Sequence, residues 1–400
     1  MRTGITHLHI PGPTNVPEVV RQAMNVPMQD MRAPDFGDLT LGLFEDLKPV
    51  FGTRDATVMM FPGSGTAAWE AAIANTLSPG DKVLMARHGL FSERWVEMAQ
   101  RMGLNVEVID VAWGAGAPVS EIARRLGADR FGEIRAVFVV HNETSTGVVS
   151  DIAGVRRALD TAFHDALLFV DGVSSIGSME FRMDEWAVDL AITGSQKGLM
   201  LPPGLGILAA SPKALEASKS ATSRRVYFDF ADMMAMNADG QFPYTPPTPL
   251  LHGLRRGLDR IAQEGLPNVI ARHRRLAEGV RRGVAAMGLQ IVAQHPSLCS
   301  DTVTAIRTPE GVDGREVLRL AYERYNASFG AAAGPLVGKA FRIGHLGDLN
   351  EGMCLSALAL AELSLAAAGA RVAFGAGVGA AQEWYAGAAP REAALRFAAE

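Results

Sequence analysis

Between residues 56 and 210 the chain repeats one pattern: a short apolar run, a turn, an amphipathic stretch, then another apolar run. The runs fall at 56–61, 82–86, 105–110, 135–140, 166–171, 190–193 and 206–209. Most of them, such as RAVFVV (135–140) and ALLFVD (166–171), are apolar at consecutive positions. A strand with one wet face alternates, whereas a strand covered on both faces does not. The stretches between them, including 63–77, 91–102, 120–126 and 152–163, have helical spacing. The pattern predicts an α/β fold, a mostly parallel sheet covered by helices on both sides. The run at 56–61 is expected to stop at Pro62, which donates no ladder hydrogen bond.

The pattern changes near Pro243. YTPPTPLL leads into a long helical segment, 253–288, and then DTVTAIRTP, VDGREVLRLAYERY and KAFRIGHLG read as strand, helix and strand. This predicts a smaller α+β domain, followed by an alanine- and leucine-rich helix over 355–368. The expected division is an N-terminal arm over 1–20, a large domain over 21–265 and a small C-terminal domain over 266–400.

Composition narrows the function classes. A formal charge of −5 disfavours a duplex nucleic-acid partner, which wants a basic face. Two cysteines cannot build a disulfide framework. The start MRTGITHLHIPGP lacks the basic and apolar regions of a secretory signal, and no uncharged apolar run reaches the length of a membrane span. A cytoplasmic metabolic enzyme is the expectation, with no membrane or nucleic-acid partner.

Three features carry chemistry. Lys197, in DLAITGSQKG, follows an apolar run whose carboxyl end is where α/β sheets place ligands. Such a lysine forms a Schiff base if its pKa is lowered; otherwise it is a turn lysine. Asp171 ends another apolar run. It can hold a protonated pyridine nitrogen, bind a metal, or cap the following turn. Gly63-Ser64-Gly65-Thr66 opens a helix, where free N–H groups and the helix dipole suit a monophosphate or simply an N-cap. It has neither the lysine of a P-loop nor a full dinucleotide fingerprint. Together the three meet the needs of pyridoxal 5'-phosphate: a phosphate cradle, an acid for the ring nitrogen and a lysine. The histidines at 88, 141, 252, 273 and 345 show no metal-ligand spacing, and no metal is expected.

At these residues the chain resembles the class V, fold-type I aminotransferases. Within them it is most similar to the serine–glyoxylate, aspartate–glyoxylate and alanine–glyoxylate enzymes. HIPGPTNVP (9–17), FPGSGTAAWEAAIANTLSPGDKVL (61–84), VVHNETSTGV (139–148), LLFVDGVSSIGS (167–178), DLAITGSQKGLMLPPGLG (189–206), YTPPTPLLHGLR (244–255) and FRIGHLGDLNE (341–351) carry the likeness in order. The resemblance implies a mostly parallel seven-stranded sheet in the large domain, and a homodimer or an assembly of dimers. It makes Lys197 the Schiff-base lysine and Asp171 the partner of the pyridine nitrogen. Ser64, Gly65, Thr66, Ala67 and Gln196 would surround the phosphate, and Thr245 would reach it from a partner subunit. Phe91 stands where some relatives stack a tryptophan on the ring, and Thr144 would lie beside the ring oxygen. Arg342 would clamp the substrate carboxylate, as a bidentate guanidinium does elsewhere, with Asn15 assisting.

The implied reaction is ping-pong transamination. L-Serine gives hydroxypyruvate and glyoxylate becomes glycine, with Lys197 moving the α-proton. L-Aspartate and L-alanine are alternative donors. Aspartate requires a second carboxylate clamp, for which Arg32 is a candidate, and His345 follows Arg342 closely enough to be considered near substrate. A cysteine-using lyase of the desulfurase kind is the reading from another class, and it would need Cys354 to be reactive.

Overall fold

The computed structural model describes residues 4–387. In chain order the strands are β1 (His7–His9), β2 (Thr57–Gly63), β3 (Lys82–Arg87), β4 (Asn105–Asp110), β5 (Ile134–Val140) and β6 (Asn142–Glu143). They continue as β7 (Val148–Val149), β8 (Leu167–Asp171), β9 (Leu190–Gly194), β10 (Gly204–Ala210), β11 (Val303–Arg307), β12 (Ala327–Ala331) and β13 (Ala340–Gly344). Seven of them form one sheet in the order β2-β10-β9-β8-β5-β3-β4. Only β10 runs against its neighbours; the other pairings are parallel. The architecture is the expected mostly parallel α/β sheet.

The central strands β8 and β9 are buried at every residue, as their unbroken apolar runs require. One expectation fails locally. Strand β2 does not stop before Pro62 but continues to Gly63, pairing Pro62 with Leu205. An edge strand tolerates proline because its outer side needs no donor, and β2 pairs only with β10. Local signals set several helix ends. The helix Pro34–Phe51 opens with proline and closes on Gly52 at φ 65°, and Asp151 caps Ile152–Thr161 by accepting from the Gly154 N–H.

A second, four-stranded sheet has the order β1-β12-β13-β11. Its core is a separate cluster that includes Leu276, Val280, Phe341, Ile343 and Leu358. The long helical segment breaks at Gly265 into Thr248–Glu264 and Leu266–Ala286. The second of these buries Leu276, Val280 and Val284. Strand β1 lies beside β12, so His7–His9 near the start of the chain are built into this sheet. The alanine-rich helix spans Glu351–Ala367, and a further helix, Ala376–Gly387, lies against Leu266–Ala286 with Tyr385 Oη donating to Leu276 O at 2.9 Å. Among the described residues no helix is long and apolar enough to cross a membrane.

Candidate active site

The carboxyl ends of β2, β5, β8 and β9 meet along one edge of the large sheet, the edge where parallel α/β sheets open a crevice. Asp171 is the last residue of β8, and Lys197 follows β9 by three residues. The helix Gly65–Thr76 begins directly after β2. Ser64, Gly65, Thr66, Phe91, Thr144, Asp171, Gln196 and Lys197 line one cavity of about 230 Å³. All eight were singled out from the sequence.

Asp171 and Lys197 are both buried. One carboxylate oxygen of Asp171 accepts from the Val173 N–H at 2.7 Å. Burial raises its pKa to about 7, with the Glu143 charge adding to the rise and the Val173 N–H and Lys197 opposing it. Burial also lowers the Lys197 amine to about 8, helped by the Arg342 charge and opposed by Asp171. Each group sits in a place that disfavours its charged form unless a partner arrives. Such a pair is what acid–base chemistry near neutral pH requires.

The lysine is held by the N-terminal segment. Its Nζ donates to Pro11 O, and Thr14 Oγ1 donates to Lys197 O at 3.2 Å. A Cβ on Gly12 would stand 2.5 Å from Nζ, so a side chain there would displace the amine. At the cradle, the Ala68 N–H is the first to reach an intrahelical acceptor, Ser64 O, at 3.2 Å. The N–H groups before it in the first turn lack helical acceptors. A Cβ on Gly65 would meet Val173 at 2.4 Å, so the backbone approaches the cavity wall at Val173 closely. Gln196 Oε1 is buried without a hydrogen-bond partner.

Arg342, on β13, donates from Nε to Ala331 O at 2.9 Å and from Nη1 to Thr144 O at 2.8 Å. Burial lowers its pKa to about 10, and the Glu143 charge resists. At neutral pH it stays cationic, with guanidinium N–H groups left over for a carboxylate.

Other sequence-predicted residues lie elsewhere. Ala67 stands one position further along the cradle helix and is half-buried. Asn15 spends its amide on Leu8 O at 3.0 Å. Thr245 is exposed and does not line its own chain's cavity. Arg32 is exposed and donates to Gln241 Oε1 at 3.0 Å. His345 is buried against Thr304 and Asp301 O, and burial holds it neutral with a pKa of about 3. The thiol of Cys354 is buried and pushed up to about 12, which removes the nucleophile a desulfurase would need.

Sequence reasoning missed Glu143. It is fully buried and accepts from the backbone N–H of Phe91 at 3.1 Å and of Ser92 at 3.0 Å, and from Ser145 Oγ at 2.7 Å. It thereby fixes the start of the helix Leu90–Arg101, and with it Phe91, against β6 and the turn that begins at Thr144. A carboxylate three residues after a buried strand, and not followed by a helix, was the available signal.

Comparison with known proteins agrees with this geometry. The model of the family described as aminotransferase class V matches residues 35–331. The chain is 57% identical over 381 residues to a serine–glyoxylate aminotransferase of Hyphomicrobium methylovorum, covering 95% of this chain and 94% of the relative. It is 54% identical to an L-aspartate–glyoxylate aminotransferase of Paracoccus denitrificans, covering 94% and 96%. Its fold matches a crystal structure of a ureidoglycine–glyoxylate aminotransferase of Bacillus subtilis with a TM-score of 0.89 at 28% identity, covering 96% and 99%. The chain belongs to the class V aminotransferases. It is a fold-type I enzyme that uses pyridoxal 5'-phosphate, and the lysine, the buried acid and the helix-start cradle fit that cofactor.

Proposed function

We propose that the enzyme transfers the amino group of L-serine to glyoxylate, giving hydroxypyruvate and glycine in two half-reactions. The observation that carries the donor is the 57% identity, over nearly the whole of both chains, to a serine–glyoxylate aminotransferase. The 54% identity to an aspartate–glyoxylate enzyme supports aspartate as the second reading.

When bound, pyridoxal 5'-phosphate supplies an electron sink for the charge left on the substrate α-carbon. The N–H groups of Gly65, Thr66 and Ala67, with Ser64, Thr66 and Gln196, would hold its phosphate, and Phe91 would cover one face of its ring. Asp171 keeps a proton on the ring nitrogen. Lys197, its amine lowered to about 8, would take the α-proton and return it two bonds away, at the cofactor's C4' carbon. Arg342 binds the substrate carboxylate and fixes which bond at the α-carbon faces that amine. Thr144 would stand beside the ring oxygen, and Asn15 would support the carboxylate end through the N-terminal segment.

The same reading places the enzyme in the cytoplasm as a homodimer or an assembly of dimers, with no nucleic-acid or membrane partner. Thr245, exposed in its own chain, would complete the phosphate site of a second copy. It divides the chain into an arm over 1–20, a cofactor domain over 21–265 and a small domain over 266–400. Single-turnover spectroscopy tests the donor. Fast conversion of the cofactor to its amine form by L-serine, reversed by glyoxylate, is expected. Much faster conversion by L-aspartate would replace serine with aspartate.

A further inference from the structure

Asn142 lies just beyond β5 on the wall of the cavity, beside Thr144. It is 3% exposed. Its Nδ2 is surrounded by acceptors: Ser174 O at 3.1 Å, Ser174 Oγ at 2.8 Å and Thr302 Oγ1 at 2.7 Å. A backbone carbonyl can only accept, so the amide end that faces Ser174 O must be the NH2. That fixes the orientation of the amide. The oxygen is the end left over, and Oδ1 is buried without a hydrogen-bond partner.

No donor among the described residues bonds this oxygen. A buried acceptor with no donor calls for an explanation, and one on a cavity wall is explained by what enters the cavity. We infer that Asn142 Oδ1 accepts a hydrogen bond from the β-hydroxyl of the amino donor, which makes Asn142 a specificity-determining residue. The inference rests on the amino-acid–glyoxylate reading above. Its chemistry sorts the three donors. The hydroxyl of serine donates to the oxygen. The methyl of alanine leaves it unpaired. The carboxylate of aspartate can only accept, and it sets a negative charge against a lone pair.

The test measures kcat/KM for L-serine and L-alanine, with glyoxylate as acceptor, in the holoenzyme and in two variants. Asn142→Val removes the oxygen. Thr302→Val removes one acceptor of the Nδ2 and leaves the oxygen in place. The serine-to-alanine ratio is expected to fall about tenfold in Asn142→Val, the worth of one neutral hydrogen bond, and to hold in Thr302→Val. Cofactor affinity, followed by absorbance during dialysis, is expected to change little in either. If Asn142→Val lowers serine and alanine equally, or weakens cofactor retention while keeping the ratio, the oxygen serves packing or the cofactor and the inference is overturned. That outcome leaves the serine–glyoxylate reading intact. An unaltered enzyme that shows no preference for serine over alanine overturns both.

Discussion

The two edges of the large sheet make an instructive pair. The carboxyl edge holds the small cavity of about 230 Å³, and the amino edge holds a cleft of about 1000 Å³. The larger space contains Asp129, His164 and Lys213, and it is flanked by Phe131 and Phe163, which are 91% and 94% exposed. Asp129, His164 and Lys213 all have partners. Asp129 accepts from the N–H of Ile134 at 2.7 Å and of Glu133 at 3.1 Å, and it pairs with His164 at 3.1 Å. Lys213 donates to Ala166 O at 3.2 Å. At the carboxyl edge, by contrast, Lys197 and Asp171 are buried with pKa values displaced toward neutrality, and Gln196 and Asn142 keep unpaired oxygens. Size therefore does not mark the site. A buried acid and a buried amine displaced toward neutrality, beside unpaired amide oxygens, do.

Substitutions at the two edges should separate sharply. The largest effect is expected for Lys197→Ala, about a 10⁴-fold loss of transamination rate. The visible band of the bound cofactor should be lost with it, and a retained band would break the assignment of this lysine. Asp171→Asn keeps the shape and removes the charge. It should lower kcat/KM by about 10³-fold, and a stopped-flow half-reaction within tenfold of normal would show that the acid is dispensable. A smaller effect concerns pH. Only the neutral amine captures an aldehyde, and burial lowers the Lys197 pKa to about 8. In cofactor-free protein the capture rate should therefore rise by about tenfold per pH unit below that value and level off above it. A rate still climbing steeply near pH 10 would mean an unperturbed lysine.

The smallest catalytic effect, none, is expected for Asp129→Asn at the other edge. Its cost should appear in denaturant unfolding, at about 1–3 kcal/mol for the lost buried acceptor. Burial acts to raise the Asp129 pKa, but the Ile134 and Glu133 N–H groups and His164 together lower it. That stabilisation is present above the ordinary carboxylate pKa and is lost as pH falls through the lower folded value. The gap in stability between the two proteins should thus close in acid. Any loss of transamination in Asp129→Asn would blur the contrast between the edges.

What the chain discloses before folding divides along similar lines. Asp171, Lys197 and the Gly63–Thr66 turn were readable because each follows an apolar run, and the run says which end of a strand it marks. Pro62 misled because no local signal says that β2 lies at an edge. Glu143 and Asn142 stayed hidden because their roles depend on Phe91, Ser174 and Thr302, which come from other parts of the chain. Pro11 became a partner of Lys197 only through the pairing of β1 with β12. The helix Ala376–Gly387 was overlooked because its glycines and alanines give little amphipathic contrast.

The pairing of β1 with β12 also has a consequence in time. His7 waits for Ala327. During synthesis at about 5–20 residues per second, that wait is roughly a quarter of a minute to a minute. Throughout it the large sheet can collapse while the segment that braces Lys197 has nothing to anchor it. The lysine loop is then the last part of the crevice to settle, so the nascent chain cannot hold a competent centre before most of it has left the ribosome.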